Sequence, residues 1–219
     1  LGQQIWEDGR LINLDVFGNM YGEPYFDYNI SIIPESISNL TEIEYIDFDH
    51  NQIEYLPNSF INLDSLEVLW FGENPIDTIP QVIWELTNLK KLSLNSTNSL
   101  EIPESIGNLI NLEYLFLHDN QIIDIPESIW TLSNLKGLFM ENNQIYEISN
   151  SLSDLTNLHS LSLRHNNITS LPETICDLTN LVWESQIEDT HWMYSSIDYN
   201  QICPPYPECL TEEDIGYQD

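Results

Sequence analysis

Chemistry on this chain would have to start from its few histidines, its cysteines and its many carboxylates. His118 and Asp119 are adjacent, the pairing of a base with an orienting carboxylate. No strained nucleophile turn of the G-x-S-x-G type accompanies them. Asp47-Phe48-Asp49-His50-Asn51 imitates the opening of a calcium loop. It lacks the loop glycine and the glutamate at the twelfth position, so calcium is not expected there. No glycine loop able to cradle phosphate occurs. Cys203 and Cys209 enclose a proline-rich run, Pro204-Pro205-Tyr206-Pro207-Glu208. Their spacing permits a Cys203–Cys209 disulfide, or either could pair outside this stretch. Zinc is the remaining alternative, against which the prolines and the lack of flanking histidines argue. A disulfide would imply an oxidising compartment. Cys176, beside Ile175, reads as a small buried filler. The expectation is a non-enzymatic chain with no catalytic residue, metal or cofactor.

Charge narrows the partners. The 219 residues include 36 Asp+Glu against 5 Lys+Arg, a formal net charge of -31. Such a surface repels phosphate backbones and anionic lipid, which excludes nucleic acid as a partner. It serves solubility, or recognition of a basic partner or of cations. No run of 18 apolar residues is present, so no membrane insertion is expected. No signal peptide is visible, and a start at Leu1 rather than Met suggests a mature or trimmed product.

The elements that must position any site follow from repetition. Leu40, Leu63, Leu86, Leu109, Leu132, Leu155 and Leu178 recur every 23 residues. Three residues after each lies another apolar residue, from Ile43 and Leu66 through Leu181. A proline column runs Pro34, Pro57, Pro80, Pro103, Pro126, then Ser149, then Pro172. The clearest copy of the unit is Leu112-Glu113-Tyr114-Leu115-Phe116-Leu117-His118-Asp119-Asn120. This pattern resembles the 23-residue class of leucine-rich repeats, over six full units from Ile43 to Asn180. The resemblance implies an α/β solenoid: a right-handed superhelix with a parallel concave β-sheet and an irregular or short-helical convex side.

Physical chemistry leads to the same architecture. Leu115 and Leu117 alternate with Tyr114 and Phe116, the period of a strand buried on one face. One such strand cannot bury its apolar side alone, but stacked strands about 4.8 Å apart enclose a continuous core. The return segment brings its own inward column, Ile37, Phe60, Ile83, Ile106, Ile129, Leu152 and Ile175. The prolines preset φ and keep that segment irregular or in short turns of helix. Asn51, Asn74, Asn120, Asn143 and Asn166 form a structural ladder, turning inward to bond backbone groups of their own and the next turn. Thr97 breaks the column, and Ser99-Leu100 shifts the next apolar position, so a distorted loop is expected there.

The outward strand positions form three columns on the concave face. The central one is Asp47, Trp70, Ser93, Phe116, Phe139, Ser162 and Ser185. The column before it is Tyr45, Val68, Lys91, Tyr114, Gly137, Ser160 and Trp183, and the column after it is Asp49, Gly72, Asn95, His118, Glu141, Arg164 and Ile187. Tyr45, Trp70, Tyr114, Phe116 and Phe139 cannot share the core with their immediate neighbours. They are expected to form an exposed patch of a few hundred Å², rimmed by His118, Asp119, Glu141 and Arg164, as at a protein-binding hot spot. His118 and His165 lie two turns apart, too far to share a metal.

Residues 1–42 are expected to be an N-terminal cap with degenerate repeats, 43–180 six repeats, and 181–219 the last strand with a C-terminal cap. In the first, Leu11, Leu14, Val16 and Asn19 fit the strand template, and Pro24 marks an edge or irregular insert. The stretch Trp6-Glu7-Asp8-Gly9-Arg10-Leu11 resembles the start of plant-type leucine-rich-repeat ectodomains, without the cysteine usual there. Cys203 to Cys209 is similar to the caps of secreted bacterial leucine-rich-repeat proteins, which implies a secreted or cell-surface location. Beyond Trp183 the pattern lapses into Trp192, Met193 and Tyr194. The sequons Asn29-Ile30-Ser31, Asn39-Leu40-Thr41, Asn95-Ser96-Thr97 and Asn167-Ile168-Thr169 matter only in a secreted eukaryotic chain. The expected function is protein recognition through the concave face, including self-association. The alternative is carbohydrate, stacked on the same aromatic ridge.

Overall fold

A computed structural model describes residues 3–16, 29–76, 78–183 and 194–218. Asn19, Pro24, Ser185, Ile187, Trp192 and Met193 lie outside the described residues. Eight strands form one sheet in chain order. β1 (Gln3–Glu7) and β2 (Arg10–Asp15) form an antiparallel hairpin. Asp8 and Gly9 turn it with φ of 47° and 79°, the left-handed pair that matches the twist of a two-residue hairpin. Then follow β3 (Tyr45–Asp47), β4 (Val68–Trp70), β5 (Lys91–Ser93), β6 (Tyr114–Phe116), β7 (Gly137–Phe139) and β8 (Ser160–Ser162), all parallel. Between β3 and β8 each residue pairs with the one 23 positions on, as in Tyr114↔Gly137 and Phe116↔Phe139. The chain is a leucine-rich-repeat solenoid.

Each return segment is one short 3₁₀ turn, from Glu35–Asn39 to Glu173–Asp177. Six of the seven follow a proline, and Ser149 opens the other, Asn150–Asp154, its hydroxyl accepting from Ser151 N–H. The middle residue of each turn is buried against the strand leucines. Its carbonyl accepts the N–H of the leucine that ends the turn, as Leu132 N–H does to Ile129. Each such apolar side chain contributes about 1.5–3 kcal/mol on burial.

Two asparagine ladders join the turns. In the buried one, Asn143 Oδ1 accepts from Ile122 N–H at 2.9 Å, and Nδ2 donates to the carbonyls of Leu117 and Met140 at 3.0 and 3.1 Å. The reach is backward, to the preceding turn rather than the expected next one, because the Ile122 N–H and the Leu117 carbonyl both lie within reach of the Asn143 amide. Asn51, Asn74, Asn120 and Asn166 repeat the arrangement. At the gap, Thr97 Oγ1 donates to Leu94, while Asn120 Oδ1 takes the N–H groups of both Thr97 and Ser99. The turn keeps its 23 residues, so the expected shift is corrected: Ser99 takes the buried position of Ile53, Ile76 and Ile122, Leu100 is exposed, and Asn98 adds a second left-handed position two residues after Ser96. The other ladder is exposed: Asn88, Asn111, Asn134, Asn157 and Asn180 each donate to a carbonyl 24 residues back, at 2.7–3.0 Å.

The C-terminal end departs from the period. Trp183 makes a bridge to Ser195, and the next turn resumes at Ser195-Ser196-Ile197-Asp198-Tyr199-Asn200. Asn200 takes the ladder position, bonding Ile168 N–H and the Leu163 carbonyl. Gln218 does the same one turn later, for Ile202 N–H and the Ile197 carbonyl. A helical turn, α1 (Glu212–Ile215), carries a Thr211–Asp214 capping box and buries Ile215 over the open end of the core.

The cysteine expectations need correction. The disulfide joins Cys176 to Cys209, with Cα atoms 5.5 Å apart, and Cys203 is free and exposed. Cys203 is therefore not the partner of Cys209, and Cys176 is not a filler. The 204–207 run bends at Pro204 and Pro205 without bringing Cys203 to Cys209. It delivers Cys209 to the last 3₁₀ turn, where Cys176 lies.

Replacing Asn143 with Ala should cost about 1–3 kcal/mol, because a buried donor and acceptors lose their partners. Asn134→Ala, which loses one exposed bond, should cost less than about 1 kcal/mol. Urea unfolding midpoints compare the two. Cys176→Ser opens a loop closed across 33 residues and should lower stability by about 3–4 kcal/mol, read from guanidinium unfolding without reductant.

Candidate functional site: the concave face

The strand register places the outward side chains in rows across the turns. Trp70, Phe116 and Phe139 lie in one row, with the ring centroids of Trp70 and Phe116 5.2 Å apart and those of Phe116 and Phe139 4.8 Å apart, the latter stacked within 5°. Two small residues make this possible. Ser93 sits between Trp70 and Phe116 in the row, turning its hydroxyl to Asn95, so the larger rings meet across it. Gly137 has no side chain, and a Cβ there would lie 2.8 Å from both the Phe139 and the Tyr114 rings. These two rings thus share the face and close over the glycine.

Phe116 and Phe139 nevertheless expose only 7% and 4% of their surface. The expected open patch is corrected accordingly: Phe116 and Phe139 stand on the concave side but cover one another, and of the five expected rings only Tyr45, Trp70 and Tyr114 are half-buried rather than buried. Tyr45 stands apart from the other two. Val68 and Lys91 separate it from Tyr114 in the row, and Lys91 Nζ stands 5.4 Å from the Tyr114 ring centroid. Trp183, expected to face outward, is buried in the core cluster, where Ser195 bridges it.

His118, Glu141 and Arg164 occupy successive turns beside the aromatic row. The His118 ring stands 3.9 Å from Asp119, and Arg164 pairs with Asp198 at 3.3 Å and lies over the Tyr199 ring at 4.9 Å. Glu141 and Arg164 line a cleft of about 340 Å³ together with Phe139, Ser162 and Tyr194. Immediately after this row comes a column of left-handed residues: His50, Glu73, Ser96, Asp119, Asn142, His165 and Tyr199, with φ between 50° and 56°. Several pair across turns: His50 with Glu73 at 2.6 Å, Asn142 with Asp119 at 2.8 Å, and His165 stacked on Tyr199 at 4.2 Å.

The N-terminal end of the face is acidic. Tyr45 O–H donates to Asp47 at 3.2 Å, and Asp49 accepts from Gly72 N–H at 2.6 Å. Burial, then the Asp47 charge, pushes the Asp49 carboxyl up to about 7 against the pull of the Gly72 N–H. Burial also raises Asp47, and raises the Tyr45 phenol, helped by Asp47. Among the described residues no cluster of three or more His, Cys, Asp or Glu is arranged to hold a metal, and no helix is long and apolar enough to cross a membrane.

Comparison with known proteins agrees with the architecture. Leucine-rich-repeat family profiles match residues 87–145 and 157–178. A leucine-rich-repeat protein of Leptospira interrogans superposes with a TM-score of 0.73 at 28% identity, over 89% of this chain and 54% of the other. An internalin C2 of Listeria monocytogenes gives 0.73 at 25%, over 97% and 82%. The ectodomain of the Arabidopsis receptor kinase HAESA, solved with a peptide hormone, gives 0.71 at 24%, over 89% and 31%. The chain spans about half the length of the Leptospira protein. A search of curated proteins gives no match. The chain is a leucine-rich-repeat protein. Its fold is typical of protein-interaction modules, which are generally not enzymes.

Asp49 generates a pH test. Its ordinary value is 3.8, so between about pH 4 and 7 the folded chain holds a proton that the unfolded chain has released, and stability falls as pH rises. Asp49→Asn should therefore be more stable than the parent above pH 7, with the gain vanishing near pH 4. Thermal midpoints across that range measure it.

Proposed function

We propose that the chain is a non-enzymatic recognition module whose concave face binds a protein partner, with residues 43–180 as the binding body and the flanking segments as caps. One observation carries this: Trp70, Phe116 and Phe139 form a continuous aromatic row on the side of the sheet away from the core. Nothing in the solenoid's own packing requires rings there. The row gives a rigid base, Trp70 and Tyr114 offer its accessible edges, and His118, Glu141 and Arg164 supply a polar rim; aromatic centres with polar rims are the usual build of binding hot spots. Tyr45 and its aspartates extend the surface toward a basic part of the partner.

Protein is favoured over carbohydrate because Phe116 and Phe139, stacked on each other, are nearly buried and present no open phenyl plane to a sugar ring. A secreted or cell-surface setting is supported by the Cys176–Cys209 disulfide, which an oxidising compartment maintains, and by the likeness to a receptor ectodomain.

Peptides selected from a random phage-displayed library on the immobilised protein test the reading. Trp70→Ala should weaken their binding by about 30-fold or more, the loss typical of a hot-spot tryptophan, and Glu141→Gln should weaken it further. Equal affinity for parent and variants would remove the concave face from consideration. Light scattering over a range of concentrations reports whether a second copy is the partner.

A further inference from the structure

A second surface lies off the concave sheet, where the chain passes from the buried ladder into the return turns. Segments 123–127 and 146–150 run side by side there and enclose a groove of about 250 Å³. The groove falls below the usual range of small-molecule sites, about 300–1,000 Å³, and suits one side chain with its adjoining backbone. It coincides with the one interruption of the proline column: Ser149 stands where the neighbouring turns have Pro126 and Pro172.

Three features describe what fits. Trp130 lines the groove, is 2% exposed, and its indole N–H has no hydrogen-bond partner. Buried indole N–H groups nearly always find an acceptor. Asp124, Glu127 and Glu147 also line the groove, and its lining includes no Lys, Arg or His. Ile123 and Tyr146, 43% and 49% exposed, flank it with apolar surface.

We propose that this groove is a second docking site, taking an extended segment of a partner protein that carries an arginine or lysine. The alkyl stem of that side chain lies on Ile123 and Tyr146, its cation faces the three carboxylates, and the Trp130 ring turns to give its enclosed N–H to a backbone carbonyl of the segment. Long cationic side chains bury their stems on apolar surface while their heads meet charge, which is the combination the groove offers. The proposal is independent of the concave face, and either can fail without the other.

The test uses the ¹⁵N-labelled protein and the indole N–H signals of its tryptophans, with the Trp130 signal assigned by its loss in Trp130→Phe. The probe is acetyl-Ala-Arg-Ala-amide, with acetyl-Ala-Glu-Ala-amide as the control. The arginine peptide should shift the Trp130 signal saturably and leave that of Trp70 in place, while the glutamate peptide should do neither. Glu127→Gln combined with Glu147→Gln should weaken the effect at least several-fold. Ser149→Pro should block it without removing charge, since Ser149 already has φ of -66° and ψ of 150°, angles that proline adopts. No shift at Trp130, an equal shift with the glutamate peptide, or full binding by both sets of variants would overturn the proposal.

Discussion

Everything in this solenoid depends on an inward-turned polar side chain after the strand, an amide in every described turn of the ladder but that of Thr97. An isolated turn leaves backbone N–H and C=O groups facing a dry interior, where an unpaired group costs about 1–3 kcal/mol. The asparagine satisfies the preceding turn and its own strand together, which is possible only when the turns are in phase. That requirement, more than leucine packing, fixes the vertical register. Leucines tolerate small sliding; a bifurcated set of bonds near 3 Å does not. The concave rows, and with them the Trp70–Phe116–Phe139 stack, inherit their alignment from it.

Charge is handled by the same logic of neighbouring turns. Each of the five cations reaches an adjacent turn: Arg10 to Glu42, Lys90 to Glu67, Lys136 to Glu113, Arg164 to Asp198, and Lys91 to the Tyr114 ring. Exposed pairs of this kind contribute about 0–1 kcal/mol each, so they trim inter-turn repulsion without balancing 36 carboxylates. The excess negative charge stays available to a basic partner.

Much of the architecture was legible in the sequence because the core demands it. The leucine columns, the return-side column and the buried asparagines recur at a fixed interval that no other fold would need. What escaped did so for physical reasons. Asn200 and Gln218 hold ladder positions 34 and 18 residues after their predecessors, so a search in steps of 23 passes over them. The exposed ladder at Asn88, Asn111, Asn134, Asn157 and Asn180 keeps the interval, and the asparagine before each strand leucine was its signal; in a chain rich in asparagine it did not stand out. Alternation tells which way Phe116 and Phe139 point but not that they cover each other. The small residues beside them, Ser93 and Gly137, were the clue. The pairing of Cys176 with Cys209 depends on where a proline-rich run leads, which no local spacing encodes.

The left-handed column has an effect on the edge of the sheet. A side chain held at positive φ costs about 1–2 kcal/mol relative to the right-handed form, a penalty that glycine avoids. Seven successive turns carry such a residue, and none is glycine. The penalty therefore grows linearly with the number of turns, and contacts such as His50–Glu73 and Asp119–Asn142 offset it only locally. Glycine substitutions would relax the backbone while erasing those cross-turn contacts. Along this margin, relief of local strain and mechanical stiffness oppose each other.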